Sequence, residues 1–193
     1  VYMIVTHAGL AFGQLLLNTG STAGLTLYVV ASIVISAAVI PILLSSAPQP
    51  HMVLEVERLT LRKLFKTSPL GVAGCFTAGL ANGIILGMAA VYARRVGLDV
   101  SGISLFIASI MVGGAVFQYP VGKLSDRLDR RRVIIGVSGA VALSALLLIP
   151  AAAAGAGVLA LAGFVTGGLA LTLYPLSLAH TNDWLDPDRK SVV

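Results

Sequence analysis

The charged residues of this chain gather where they could pair with one another. The stretch GKLSDRLDRRR, residues 122–132, holds seven of them: Lys123, Asp126, Arg127, Asp129, Arg130, Arg131 and Arg132. The chemistry open to such a set is electrostatic. A carboxylate such as Asp126 is stabilised beside the positive N-terminus of a neighbouring helix. Arg127, Arg130 and Arg131 can grip carboxylates through paired N–H groups, or bond the last carbonyls of a helix. Asp183, further along in HTNDW, is a candidate partner for one of these arginines.

Covalent chemistry has much less to work with. His180, Asn182 and Asp183 fall together in AHTND, but no nucleophile or metal-ligand spacing accompanies them. The chain carries no phosphate-binding Walker loop, no H-E-x-x-H and no cysteine pair. Its one cysteine, Cys75, lies in an apolar stretch and reads as a small packing residue. The expectation is a protein without catalytic residues, metal or cofactor.

The elements that must hold the charges follow from composition. Only 11% of the 193 residues are charged and 57% are hydrophobic, with a mean hydropathy of +0.95. A soluble domain carries about 25% charged residues, so this chain is expected to lie in a lipid bilayer. The net charge of +5 does not point to nucleic acid, because the basic residues sit in short connections between apolar runs. A membrane helix needs about 20 apolar residues. Runs free of Asp, Glu, Lys and Arg cover 1–54, 67–93, 100–122 and 133–182. The two middle runs fit one helix each. The outer two are broken by the turn-rich NTGSTAG (18–24) and PAAAAGAG (150–157) and fit two each. The fold class is therefore an all-α polytopic bundle of about six segments, near 1–17, 24–44, 69–92, 101–120, 133–150 and 157–180.

Orientation follows from the basic residues. Alternate connections carry eleven Lys and Arg on one side and two, Arg94 and Arg95, on the other. The richer side is expected to be cytoplasmic. The longest connection, 45–68, contains LEVERLTLRKLFK, in which Leu61, Leu64 and Phe65 share one helical face and Arg58, Arg62 and Lys66 another. It reads as an amphipathic helix on the cytoplasmic surface. Ser68 and Pro69 then suit the cap and first turn of the next helix. Glycines four apart, at 9 and 13, at 79, 83 and 87, and at 163 and 167, suit close helix packing in lipid, the three-glycine ladder most of all.

In the charged stretch, Gly122, Leu124, Asp126, Arg127, Arg130 and Arg131 form G-x-L-x-D-R-x-x-R-R between two apolar segments. This resembles the signature loop of the major facilitator superfamily, which recurs between helices two and three and between helices eight and nine. The wider QYPVGKLSDRLDRRRVI is similar to bacterial members often called YcaD-like. The family pattern usually has glycine where this chain has Asp129, which leaves the bend of the loop open. Four segments precede the motif, so the resemblance is to the second copy. It makes the chain a fragment, with Val1 inside a cut helix, spanning helices five to ten of a twelve-helix transporter. Residues 1–44 would then end the N-terminal half, 45–68 would link the halves, and 69–193 would begin the C-terminal half. The first four and last two helices would be missing partners from the same chain. The resemblance implies that Gly122, Leu124, Asp126, Arg127, Arg130, Arg131 and Asp183 latch the two halves in an outward-open state.

Substrate is expected near the bilayer midplane, between the halves. The polar candidates are Asn82 and Thr77 on one segment, with Gln14 and Tyr174 on others. His7 reads as a packed or bonded side chain. No Asp, Glu, Lys or Arg falls inside a segment, so a proton-carrying carboxylate would belong to the missing helices. The expected function is secondary active transport of a small, hydrophobic or neutral molecule across a bacterial inner membrane, by rocking of two halves and in the direction of efflux. The alternative is a non-transporting membrane scaffold or an inactive truncated fragment.

Overall fold

The computed structural model describes residues 2–21, 23–44 and 60–184, all of it helix and connecting turn among the described residues. The helices are α1 (Tyr2–Leu16), α2 (Thr26–Leu43), α3 (Leu61–Thr67), α4 (Pro69–Arg95), α5 (Val100–Arg127), α6 (Arg130–Ala154) and α7 (Ala156–Asp183), with a 3-10 turn at Leu17–Thr19 after α1. Helices suit lipid, because a helix satisfies its own backbone polar groups within a single segment. Four helices, α4 to α7, are long and apolar enough to cross a membrane. Of the six expected segments, the first two are shorter, with α1 at 15 residues and α2 at 18.

Local chemistry sets the ends. Pro69 takes the first turn of α4, where its absent N–H costs nothing. Ser68 does not cap it as expected; its side chain makes no cap bond and is 2% exposed. At the far end, Leu98 N–H bonds Ala93 O at 3.1 Å and Gly97 N–H bonds Arg94 O at 3.0 Å, with Gly97 at φ +88°. That crossed pair closes α4 and needs the left-handed backbone that glycine supplies. Asp99 then caps α5, its carboxylate accepting Gly102 N–H at 2.8 Å. The expected break over 150–157 shrinks to one residue. α6 runs through Pro150 to Ala154, and Gly155 alone, at φ +107°, separates it from α7.

α7 is the centre of the bundle and packs against α4, α5 and α6, while α1 lies along α5. Two apolar clusters fill the contacts. One joins Phe106, Ile110, Met111, Leu159 and Leu171 with Ala11 and Ala93. The other joins Val121, Val133, Ile134, Val137 and Leu176, toward the end that carries the charged loop. Polar bonds cross between helices at few places: Tyr92 Oη donates to Leu148 O at 2.9 Å, and Ser109 Oγ to Ala160 O at 2.8 Å.

Close backbone approach occurs where α7 meets its neighbours, not along the three-glycine ladder. A Cβ on Gly168 would stand 2.7 Å from the backbone of Gly113, and one on Gly163 2.6 Å from the Phe106 ring. At Gly79, Gly83 and Gly87, and likewise at Gly9 and Gly13, a Cβ would meet nothing within 4 Å. The ladder therefore packs against no described residue. α2 is exposed on all sides and buries none of its described residues. The amphipathic connection is seen only in its last part. In α3, Leu61 and Phe65 are exposed apolar residues and Leu64 is half-buried; residues 45–59 lie outside the described residues.

Candidate functional site

Three helix ends converge on the charged loop. α5 does not stop near residue 120 but continues to Arg127, so Asp126 stands in its last turn and not beyond it. Only Leu128 and Asp129 separate α5 from α6. The bend needs no glycine. Asp129 has φ −57° and ψ 115°, open to any L-residue, and its carboxylate accepts Arg131 N–H at 2.9 Å, capping α6. An aspartate here therefore holds the turn by capping.

Arg130, the first residue of α6, carries the geometry. Its Nη1 donates to Asp183 Oδ2 at 2.7 Å, its Nη2 to Asp126 Oδ1 at 3.2 Å and its Nε to Ser125 Oγ at 2.8 Å. One guanidinium thus ties the last turn of α5, the first of α6 and the last of α7. The arginine side chain is 18% exposed, whereas those of Asp126 and Asp183 are 74% and 56% exposed. The cation is enclosed and the two carboxylates face outward. Burial of Val133, Val137 and Leu176 immediately below fixes the helix ends that present them. Ser125, 5% exposed, was not among the sequence candidates. The motif leaves that position open, and only the fold shows that it faces Arg130.

The other motif residues do not join this cluster. Arg127 and Arg131 make no ion pair among the described residues. Leu124 is 46% exposed, and no described atom lies within 4 Å of a Cβ placed on Gly122. Every member of the cluster lies after the 45–68 connection, so among the described residues the cluster joins α5, α6 and α7 and reaches neither α1 nor α2.

The midplane candidates are scattered. Asn82 is half-buried and its Oδ1 has no hydrogen-bond partner. Thr77 is exposed and returns its hydroxyl to its own helix, at 2.9 Å from Ala73 O and 3.1 Å from Gly74 O. Tyr174 is 36% exposed. Gln14 contributes its backbone, with Gln14 O accepting the Ser104 hydroxyl at 2.5 Å. Ser104, fully buried, also accepts Asn18 Nδ2 at 3.3 Å, so α1 is tied to α5 at the end opposite the charged loop. No hydrogen bond joins any two of Asn82, Thr77, Gln14 and Tyr174 among the described residues. Two polar atoms that the sequence did not single out, Thr166 Oγ1 and Gln118 Oε1, are buried without partners. Thr166 lines an apolar cleft of about 160 Å³ between α4, α5 and α7, with Ile85, Tyr92 and Phe106.

Comparison with known proteins agrees with this arrangement of long apolar helices and a basic signature loop. The family model for the Major Facilitator Superfamily matches residues 1–193. An uncharacterized MFS-type transporter of Enterobacter sp. (strain 638), Ent638_1421, is 31% identical over 183 residues, which is 92% of this chain and 46% of the relative. The uncharacterized MFS-type transporter YcaD of Escherichia fergusonii is 26% identical over 189 residues, 97% of this chain and 48% of the relative. The chain spans about half the length of the curated relatives it matches. No solved structure matches. It is a membrane protein by its helices, and by the match along its whole length it belongs to the major facilitator superfamily.

Proposed function

We propose that this chain is the central part of a secondary active transporter of a bacterial inner membrane, moving a small molecule by alternating access between two helical halves. Residues 1–44 belong to the first half, 45–68 link the halves, and 69–193 belong to the second. The observation that carries the reading is the Arg130 cluster, which sets two outward-facing carboxylates at the basic end of the bundle. The one guanidinium shared by Asp126 and Asp183 offsets part of their mutual repulsion, so the two sit close together with one negative charge left over, and their exposed oxygens are free to meet the first half when that end closes. The eleven-to-two bias in Lys and Arg places this end in the cytoplasm.

The opposite end has a different tie, Asn18 and Gln14 of the first half to Ser104 of the second. A rocking motion would break this tie while the carboxylates at the basic end come to meet the first half. The half-cavity visible here, between α4, α5 and α7, is apolar, with Thr166 Oγ1 as a polar atom without a partner. It suits a hydrophobic or neutral substrate, and efflux is the direction that fits such cargo.

The test is conformational. Spin labels at Leu43→Cys and Leu128→Cys, both exposed positions beside connections of the basic side, report the separation of the halves at that end in the full-length protein with Cys75 replaced. Asp126→Asn should enlarge the long-distance population. An unchanged distance distribution would remove the latch role. A flux assay of lipophilic dyes in proteoliposomes separates a transporter from a scaffold: dye movement dissipated by an ionophore supports transport, and none with any driving ion removes it.

A further inference from the structure

The crossing of α1 on α5 holds a titratable group that the proposed function leaves unused. His7 is 7% exposed and, with the buried Ala11 and the half-buried Gln14, lies on the face that α1 turns to α5. The ring fits there because position 114 of α5 is glycine. A Cβ on Gly114 would stand 3.3 Å from His7 Cγ and Cδ2, and 2.8 Å from Leu171 Cδ1. Gly114 is near the middle of the 28-residue α5, and Leu171 is near the middle of the 28-residue α7. His7 therefore stands at the depth of the bilayer midplane, on the seam between first half and second. We propose that His7 is a proton-binding residue that couples the parting of α1 from α5 to pH. The proposal rests on the two-half transporter reading and names the proton as its coupling ion.

The packed seam has no partner for a charge on the ring. His7 Nδ1 is buried and makes no hydrogen bond among the described residues. The polar group beside the ring is the backbone carbonyl of Met3, one turn back on α1. No Asp, Glu, Lys, Arg or His falls between 100 and 122 on α5, or between 156 and 179 on α7. The nearest beyond those bounds toward the charged loop are Lys123 and His180, each about 13 Å further along its helix axis than Gly114 or Leu171. The remaining ionisable groups on these three helices near that depth are phenols, Tyr2, Tyr119 and Tyr174, all exposed and neutral below about pH 9.

A buried imidazolium without a carboxylate is costly, since its charge is neither hydrated nor paired. When α1 parts from Gly114 and water reaches the ring, that cost disappears. The proton then binds the parted seam better than the closed one, and a difference in affinity between two states is what lets a ligand shift them. Imidazole is the side chain whose charge changes between about pH 5 and 8, so this one suits a proton taken up at the pH of one compartment and released at that of another. The sign follows: acid favours the parted seam, and neutral pH the closed one.

The test is the pH dependence of the seam in the full-length protein. Spin labels at Leu15→Cys and Leu105→Cys, both exposed and adjacent in sequence to the bonded pair Gln14 and Ser104, report its width with Cys75 replaced. From about pH 7.5 to about pH 5.5 the ratio of parted to closed populations should rise about tenfold, within the roughly tenfold per pH unit that one proton allows. His7→Gln stays polar but cannot take the charge, and should hold the closed distribution at both pH values. His180→Gln removes the other imidazole among the described residues and should leave the response intact. A wild type that does not respond, a response that survives His7→Gln, or one that His180→Gln abolishes overturns the proposal. A His7→Gln distribution that already differs from wild type at neutral pH marks a disturbed fold, and His7→Asn is then read by the same criteria. Distances that respond to Asp126→Asn but not to pH remove the proton site and leave the two-half reading standing; distances that respond to neither remove both.

Discussion

Arg130 is enclosed while the two carboxylates it holds are exposed, and that asymmetry decides what each residue contributes. Exposed ion pairs are worth ~0–1 kcal/mol each, so Asp126 and Asp183 stabilise the fold little. Their exposure suits residues that exchange partners. Ser125 is different, since its hydroxyl is buried and accepts from Arg130 Nε. Arg130→Ala leaves that hydroxyl without its donor and should cost about 1–3 kcal/mol, measured as a loss of thermal or detergent-unfolding stability. Asp126→Asn should cost under about 1 kcal/mol in the same measurement while altering the distance distribution described above. If both variants lost stability equally, the division between a structural arginine and a conformational carboxylate would fail.

At the scale of helices, the close approaches of α7 dominate. Gly113 and Gly168 bring the backbones of α5 and α7 together, with no room for a side chain at either position. Gly113→Val should force the two helices apart and cost about 1–3 kcal/mol or more, as overpacking does, read as reduced stability and reduced yield of folded protein. Gly83→Ala adds a methyl group where no described atom lies within 4 Å, and should stay within about 0.5 kcal/mol of wild type if nothing else in the complete protein packs there. A large loss from Gly83→Ala would instead show that the ladder meets a helix outside the described residues. Ser104→Ala removes both the bond to Gln14 O and the acceptor for Asn18, and should loosen α1 from α5 by about 1 kcal/mol.

For the whole molecule, α1 and α2 differ from the other helices in what they bury. α2 is apolar around its circumference and buries none of its described residues, whereas α1 packs chiefly against α5. A helix hydrophobic all round belongs inside a larger assembly or against lipid. Under the two-half reading, the α1–α5 crossing is a joint, and the Asn18–Ser104 contact closes it at the end away from the charged loop. A short thiol cross-linker between Asn18→Cys and Ser104→Cys should hold that end shut and stop flux in the full-length protein, and reduction of the cross-link should restore it. Flux that continues through the cross-linked protein would show that this end need not open.

The apolar runs and the basic bias made the helical class and the order of the long helices legible in the sequence, because the lack of water in a bilayer dictates both locally. The charged loop was legible for the same reason: seven charges between two apolar helices must lie outside the hydrocarbon, at a connection. Asp183 could be named as an arginine partner from its place at a helix end. Which arginine would take it could not, since Arg127, Arg130 and Arg131 are equivalent in composition and differ only in the direction that the α5–α6 turn gives them. The glycines show the same limit. Spacing marked Gly79, Gly83 and Gly87 as strongly as Gly163 and Gly167, but only the second set meets a neighbour among the described residues. Spacing places small residues on one face of a helix, and what that face touches depends on where the other helices lie. Tertiary packing alone therefore decided that Arg130 gathers the carboxylates, that His7 packs on Gly114, and that Ser68 is buried without capping α4.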